Sequence, residues 1–138
     1  MESPELVPTR LSAEVADTEP NARFSDNSDH FAATTGRVKP KFFEPDRTDN
    51  EVSVFRVLSL DDDDVWQLAV RWVEPSRRRR VKARAEIAAA QIRAVGLALE
   101  GAEPPPRHAA IRGWPEKAAR LSLMQQLAAN AKLRVRLD

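Results

Sequence analysis

Two histidines, His30 and His108, are the only imidazole side chains in this sequence and its natural candidates for acid–base chemistry near neutral pH. Basic residues stand near both of them: Arg37 and Lys39 follow the first, and Arg107 directly precedes the second. Two imidazoles beside cationic side chains could transfer protons at a phosphate ester without a metal ion. We therefore treat His30 and His108 as candidate catalytic residues, provided that folding brings them together. The alternative, two structural histidines with ordinary hydrogen bonds, stays open.

Four consecutive arginines at 77–80 form the most basic segment of the chain. Guanidinium groups bind phosphate bidentately, so this run suggests contact with a nucleic acid or nucleotide. The alternative is a solvated strand or hairpin end that pairs with the four aspartates at 61–64. The candidate anion-binding residues of the whole chain are Arg37, Lys39, Arg56, Arg80 and Arg107.

Residue types and spacing also argue against several classes of site. The aspartates at 61–64 lack the alternating spacing of a calcium loop and are better explained as the start of a helix. The chain has no cysteine, which excludes disulfides and thiolate metal sites. It also lacks the glycine-rich phosphate-binding loops and the nucleophile-elbow motif. We therefore predict no metal and no cofactor, and consider an enzyme less favoured than a binding protein.

Charge is distributed unevenly along the 138 residues, although the formal net charge is only +1. Residues 1–66 hold 15 acidic against 7 basic side chains, whereas residues 67–138 hold 6 acidic against 15 basic ones. Such a distribution either creates a basic surface that attracts anionic partners or is neutralised within the fold. Both outcomes remain open.

The periodicity of apolar residues predicts a single domain. Residues 1–22 are polar and rich in proline, so we predict a disordered arm there and a domain over residues 23–138. Within the domain we predict strands at 52–58, 77–85 and 133–137, and helices at 60–73, 87–95 and from 115 onwards. This order predicts an α+β fold: a small mixed or antiparallel sheet packed with two to three helices.

Several short segments resemble those of a set of short bacterial proteins: HF (30–31), RVKP (37–40), VFR (54–56), PPRHAAI (105–111) and GWP (113–115). The resemblance covers about residues 24–132 and implies an outline of the fold without a mechanism. No apolar segment is long enough to span a membrane, and we predict a cytoplasmic protein. We expect a small non-enzymatic binding or regulatory protein that docks a protein partner. The alternative is an RNA- or nucleotide-binding protein, including a metal-independent phosphodiesterase that uses His30 and His108.

Overall fold

The computed structural model of this chain describes residues 11–137. Eight strands alternate irregularly with helices. The strands are β1 (Pro20–Ser25), β2 (Phe31–Ala32), β3 (Arg37–Val38), β4 (Val52–Arg56), β5 (Ala83–Ala88), β6 (Ala98–Gly101), β7 (His108–Arg112) and β8 (Lys132–Val135). The helices are α1 (Asp62–Leu68), α2 (Glu74–Arg77), α3 (Ala89–Ala94) and α4 (Lys117–Asn130), with short 3-10 turns at Ser28–His30 and Pro40–Phe43.

Six strands form one antiparallel sheet in the order β6, β7, β4, β1, β5 and β8, and β2 pairs with β3 in a separate small sheet. The predicted α+β class with an antiparallel sheet is confirmed. β1 lies at the centre of the large sheet, and β6 and β8 form its edges.

Each face of the large sheet carries its own hydrophobic core, because successive side chains of a strand point to opposite faces. The larger core includes Ile111 from β7, Ile92 from α3, Leu127 from α4 and Phe42 from the second 3-10 turn. The smaller core lies on the other face, where Phe24 and Phe55 meet the helical segment that begins at α1. Side chains that pack in different cores are separated by the sheet and cannot contact each other.

The helical segment over the smaller core starts where the sequence predicted a helix. Asp61 caps α1, since its side chain accepts a hydrogen bond from the Asp64 N–H. A π-helical segment (Ala69–Val73) joins α1 to α2, so the chain remains helical up to Arg77. Arg78 then adopts a left-handed conformation with φ of 55°, which ends the helix.

Two predicted boundaries are corrected by the structure. The predicted arm reached residue 22, but β1 begins at Pro20, and Val15 and Glu19 before it are each 3% exposed. The first ten residues of that arm lie outside the described residues. The strand predicted at 77–85 starts only at Ala83, because residues 77–80 complete the helix and form the following turn. No helix within residues 11–137 is long and apolar enough to cross a membrane.

Candidate functional site

A cleft opens where the two central strands β1 and β4 separate. Their register pairs Asn21 with Arg56 and Ala22 with Phe55, and no pairing continues beyond Ala22. The side chain of Arg23 fills the gap between the diverging strands. Its Nε donates to the Phe42 carbonyl oxygen at 3.2 Å, and its Nη1 donates to the Ser53 carbonyl oxygen at 3.0 Å. A cationic side chain is therefore held at the floor of this cleft by neutral acceptors.

The charge of Arg23 is not neutralised by a direct ion pair. No carboxylate within residues 11–137 lies within ion-pair distance of its guanidinium group. Burial, reinforced by the like charge of Arg77, lowers the pKa of Arg23 to about 10, so the group stays charged at neutral pH. Its Nη2 forms no hydrogen bond with the described residues and retains solvent contact.

The cleft has a volume of about 660 Å³, which is within the range of small-molecule sites. Cations and carboxylates both line it. The cations are Arg23, Lys41, Arg47 and Arg77, and the carboxylates are Asp26, Glu44, Asp46, Asp49 and Glu51. Its walls come from the end of β1, the loop before β4 and the end of α2, so residues far apart in sequence form one site.

His30 also lines this cleft, as the last residue of the first 3-10 turn. Its Nδ1 lies 3.0 Å from the Ser25 hydroxyl oxygen, which also accepts the Asn27 N–H at 3.1 Å. Ser25 is only 3% exposed, so this contact orients the imidazole rather than presenting a nucleophile. Burial, aided by the nearby charge of Arg23, lowers the pKa of His30, which keeps the ring neutral at pH 7.

The two histidines do not meet. The His30 ring packs 6.3 Å from Phe42 in the larger core, whereas the His108 ring packs 5.5 Å from Phe55 in the smaller core. These cores lie on opposite faces of the sheet, and His108 instead places its Nδ1 2.8 Å from the Ala102 carbonyl oxygen. The paired-histidine arrangement that the phosphodiesterase hypothesis requires is therefore not formed.

Two predicted anion-binding arginines are engaged inside the protein. Each of the three guanidinium nitrogens of Arg56 donates a hydrogen bond, two to Glu19 and one to the Ser12 carbonyl oxygen. Arg107 donates through Nη1 to the carbonyl oxygens of Arg56 and Leu58, at 3.0 and 3.1 Å. Both arginines stabilise the fold by connecting its segments.

The other predicted anion-binding residues are dispersed. Arg37 is exposed on β3 beside a groove of about 380 Å³ that α4 also lines. Lys39 is half-buried, and its backbone N–H donates to the His30 carbonyl oxygen. Arg80 is exposed in the turn that follows α2. These three residues do not line the cleft at Arg23.

A second feature of interest is the basic strip, defined as Arg78, Arg79, Lys82, Lys132 and Arg134. All five side chains are exposed, and no carboxylate within residues 11–137 forms an ion pair with them.

Three carboxylates near the basic strip are already paired. Glu74 accepts from Arg136 at 2.8 Å, and Asp62 and Glu86 both pair with the buried Arg84 at 2.6 Å. Of the aspartates at 61–64, Asp62 pairs with Arg84, which lies outside the arginine run.

The sequence did not indicate Arg23 or Asp26 as site residues. The one usable signal was the alternation in PNARFS, in which Ala22 and Phe24 face the smaller core while Arg23 faces the other way. Within residues 11–137, no group of three or more His, Asp or Glu side chains is arranged to hold a metal ion.

Comparison with protein-family models, with curated proteins and with solved structures finds no match to this chain.

Proposed function

We propose that this chain is a small binding or regulatory protein that docks an acidic segment of a protein partner along the free edge of β8. The observation that carries this proposal is the basic strip beside a sheet edge that pairs with no further strand among residues 11–137. Complementary charge steers association and aligns the partner. The absence of cysteine is in keeping with a cytoplasmic setting.

The backbone of β8 is suited to receive an extended segment. The Arg136 N–H donates to the Lys82 carbonyl oxygen at 2.8 Å, and the register pairs Arg134 with Arg84. Backbone groups alternate in direction along an antiparallel strand, so those of Arg134 and Arg136 face β5. Those of Leu133 and Val135 consequently face the outer edge of β8, which pairs with no strand among residues 11–137, although β3 packs close to β8. A partner strand can pair with these backbone groups.

The side chains of β8 indicate the composition of this partner segment. Lys132 and Arg134 lie on one face of the sheet, whereas Leu133 and Val135 lie on the other. In an added antiparallel strand, side chains directly opposite each other share a face. Acidic residues opposite the two cations and apolar residues opposite Leu133 and Val135 would complement β8. The proposed partner segment thus alternates acidic and apolar residues.

Aromatic residues favour a protein partner over RNA. Single-stranded RNA is commonly bound by stacking its bases on exposed aromatic rings. This chain contains no tyrosine, and Trp114 is only 6% exposed. The Trp66 ring is covered by the guanidinium group of Arg84, 4.5 Å from the ring centroid. The third tryptophan, Trp72, is partly buried against the smaller core, and none of the five residues of the basic strip is aromatic, so the strip itself offers no ring for base stacking.

The test is a binding titration with two labelled probes, followed by fluorescence anisotropy. One probe is a peptide of alternating glutamate and valine, about six residues long as in a typical strand. The other is a single-stranded RNA of mixed sequence. The proposal expects binding of the peptide that weakens as salt is added, and weaker binding of the RNA. Tighter binding of the RNA, or no binding of the peptide, would contradict it.

Three variants separate strand addition from simple charge attraction. Val135→Pro removes an N–H that faces the free edge, a position where an edge strand tolerates proline. We expect it and Arg134→Glu each to weaken peptide binding about tenfold or more. Lys117→Glu makes the same change of charge at an exposed position of α4 and should leave the affinity unchanged. Full affinity in Val135→Pro would show that the β8 edge is not used.

A further inference from the structure

We propose that the cleft between β1 and β4 binds a small zwitterionic ligand, with its carboxylate on Arg23 and its amine on Asp26. This site is separate from the β8 edge. Three observations support it: the size of the cleft, a cation at its floor without an ion pair among residues 11–137, and, beside that cation, a largely buried carboxylate without a hydrogen bond to those residues.

Arg23 supplies the anion-binding half of the site. Its Nε and Nη1 are positioned by the Phe42 and Ser53 carbonyl oxygens, which leaves Nη2 directed to no acceptor among residues 11–137. A guanidinium group bound on one side can still form charge-assisted hydrogen bonds with a carboxylate through its terminal nitrogens. Arg77, on another wall of the cleft, adds a second positive charge.

Asp26 supplies the cation-binding half. Asp26 is 8% exposed and lines the cleft, yet its carboxylate forms no hydrogen bond or ion pair with the described residues. Its oxygens keep some solvent contact through the cleft, so they can accept a cationic group of a bound ligand without first losing a protein partner. The negative charge of Asp26 acts to raise the pKa of Arg23, but the two side chains do not form an ion pair with each other. A ligand that carries both charges can serve both groups.

The remaining carboxylates of the cleft are mostly engaged. Asp46 accepts the Thr48 N–H at 2.7 Å, Asp49 accepts the Glu51 N–H at 3.0 Å, and Glu51 pairs with Arg112. Glu44 is exposed at the rim and, like Asp26, has no partner among residues 11–137. This mixture of charges disfavours a polyanion such as RNA. It is suited to a free amino acid or a dipeptide, which places one charge of each sign within a short distance.

The experiment is a titration of the ¹⁵N-labelled full chain, read from amide chemical shifts of residues 23–30 and 41–53. The probes are glycine, L-glutamine and L-arginine, with acetate and methylammonium as matched ligands of a single charge. At least one amino acid should shift these amides saturably, at concentrations about tenfold below those required for either single-charge probe. Equal binding of acetate, or no shift with any amino acid, would overturn the proposal.

Two conservative variants test the assignment of the charges. Asp26→Asn should reduce the affinity for the amino acid to that for acetate. Arg77→Gln should weaken the binding of both the amino acid and acetate. Asp63→Asn removes an exposed carboxylate of α1 outside the cleft and serves as the matched control. Retained amino-acid preference in a folded Asp26→Asn variant would overturn the role of Asp26. If that variant does not fold, the comparison of probes on the natural chain still decides the proposal.

Discussion

Arg56 and Glu19 form a bidentate ion pair in the interior of the protein. The Nε–Oε1 distance is 2.9 Å, the Nη2–Oε2 distance is 2.8 Å, and the two side chains are 7% and 4% exposed. The pair is further satisfied by the backbone, since Glu19 accepts the Ala16 N–H and Arg56 donates to the Ser12 carbonyl oxygen. It thereby attaches the segment before β1 to the end of β4.

The first prediction concerns removal of the carboxylate from this pair. Glu19→Gln keeps the shape of the side chain but leaves the Arg56 charge buried without its counter-charge. Loss of one partner of a buried ion pair typically lowers the free energy of unfolding by about 3–5 kcal/mol. Urea denaturation of the natural chain and the variant at neutral pH measures this difference.

Asp17→Asn is the matched control in the same segment. Asp17 pairs with Arg93 at 2.6 Å, but its side chain is 71% exposed, and exposed pairs contribute about 0–1 kcal/mol. A loss in Glu19→Gln no larger than in Asp17→Asn would mean that the buried pair does not hold this segment.

The second prediction is a pH dependence that isolates Glu19. The hydrogen bonds from Arg56 hold the pKa of Glu19 below its ordinary value of 4.5. A carboxylate with a lowered folded-state pKa contributes stability above its unfolded-state pKa and loses that contribution as the pH falls through the folded-state value. The difference in free energy of unfolding between the natural chain and Glu19→Gln should therefore be constant above pH 5 and shrink under acid. A difference that grows on acidification contradicts this assignment.

The elements that the sequence predicted well are those with a strong apolar period. The β-branched and aromatic run of β4, the stripe of α4 and the alternation of β8 all lie close to their predicted positions. Residue types and spacing are sufficient to locate them. Their burial differs, since β4 is buried on both faces, whereas Leu121 in α4 is 53% exposed.

The central strand β1 was missed because its polar residues are stabilised by distant partners. Arg23 donates to carbonyl oxygens 19 and 30 residues further along the chain. Glu19 depends in the same way on Arg56, 37 residues away. A segment of this kind resembles a disordered arm until its partners are known. The cleft could not be predicted for the same reason, since it exists only where β1 and β4 diverge.

The third prediction concerns His30, whose pKa is lowered by burial and by the charge of Arg23. A histidine with a lowered folded-state pKa takes up its proton more readily in the unfolded chain, so stability falls as the pH drops through the unfolded value of about 6.5. His30→Gln should remove this contribution while retaining a group that can hydrogen-bond to the Ser25 hydroxyl. Urea midpoints of the natural chain and the variant, at pH 7.5 and at pH 5.5, measure this contribution. The difference between the two chains at pH 7.5 gives the effect of the substitution when His30 is uncharged. Both pH values lie above the range in which Glu19 titrates, so Glu19 does not contribute to the change in stability between them. The natural chain should lose more stability than the variant between the two pH values; equal losses would show that His30 does not resist protonation in the cleft.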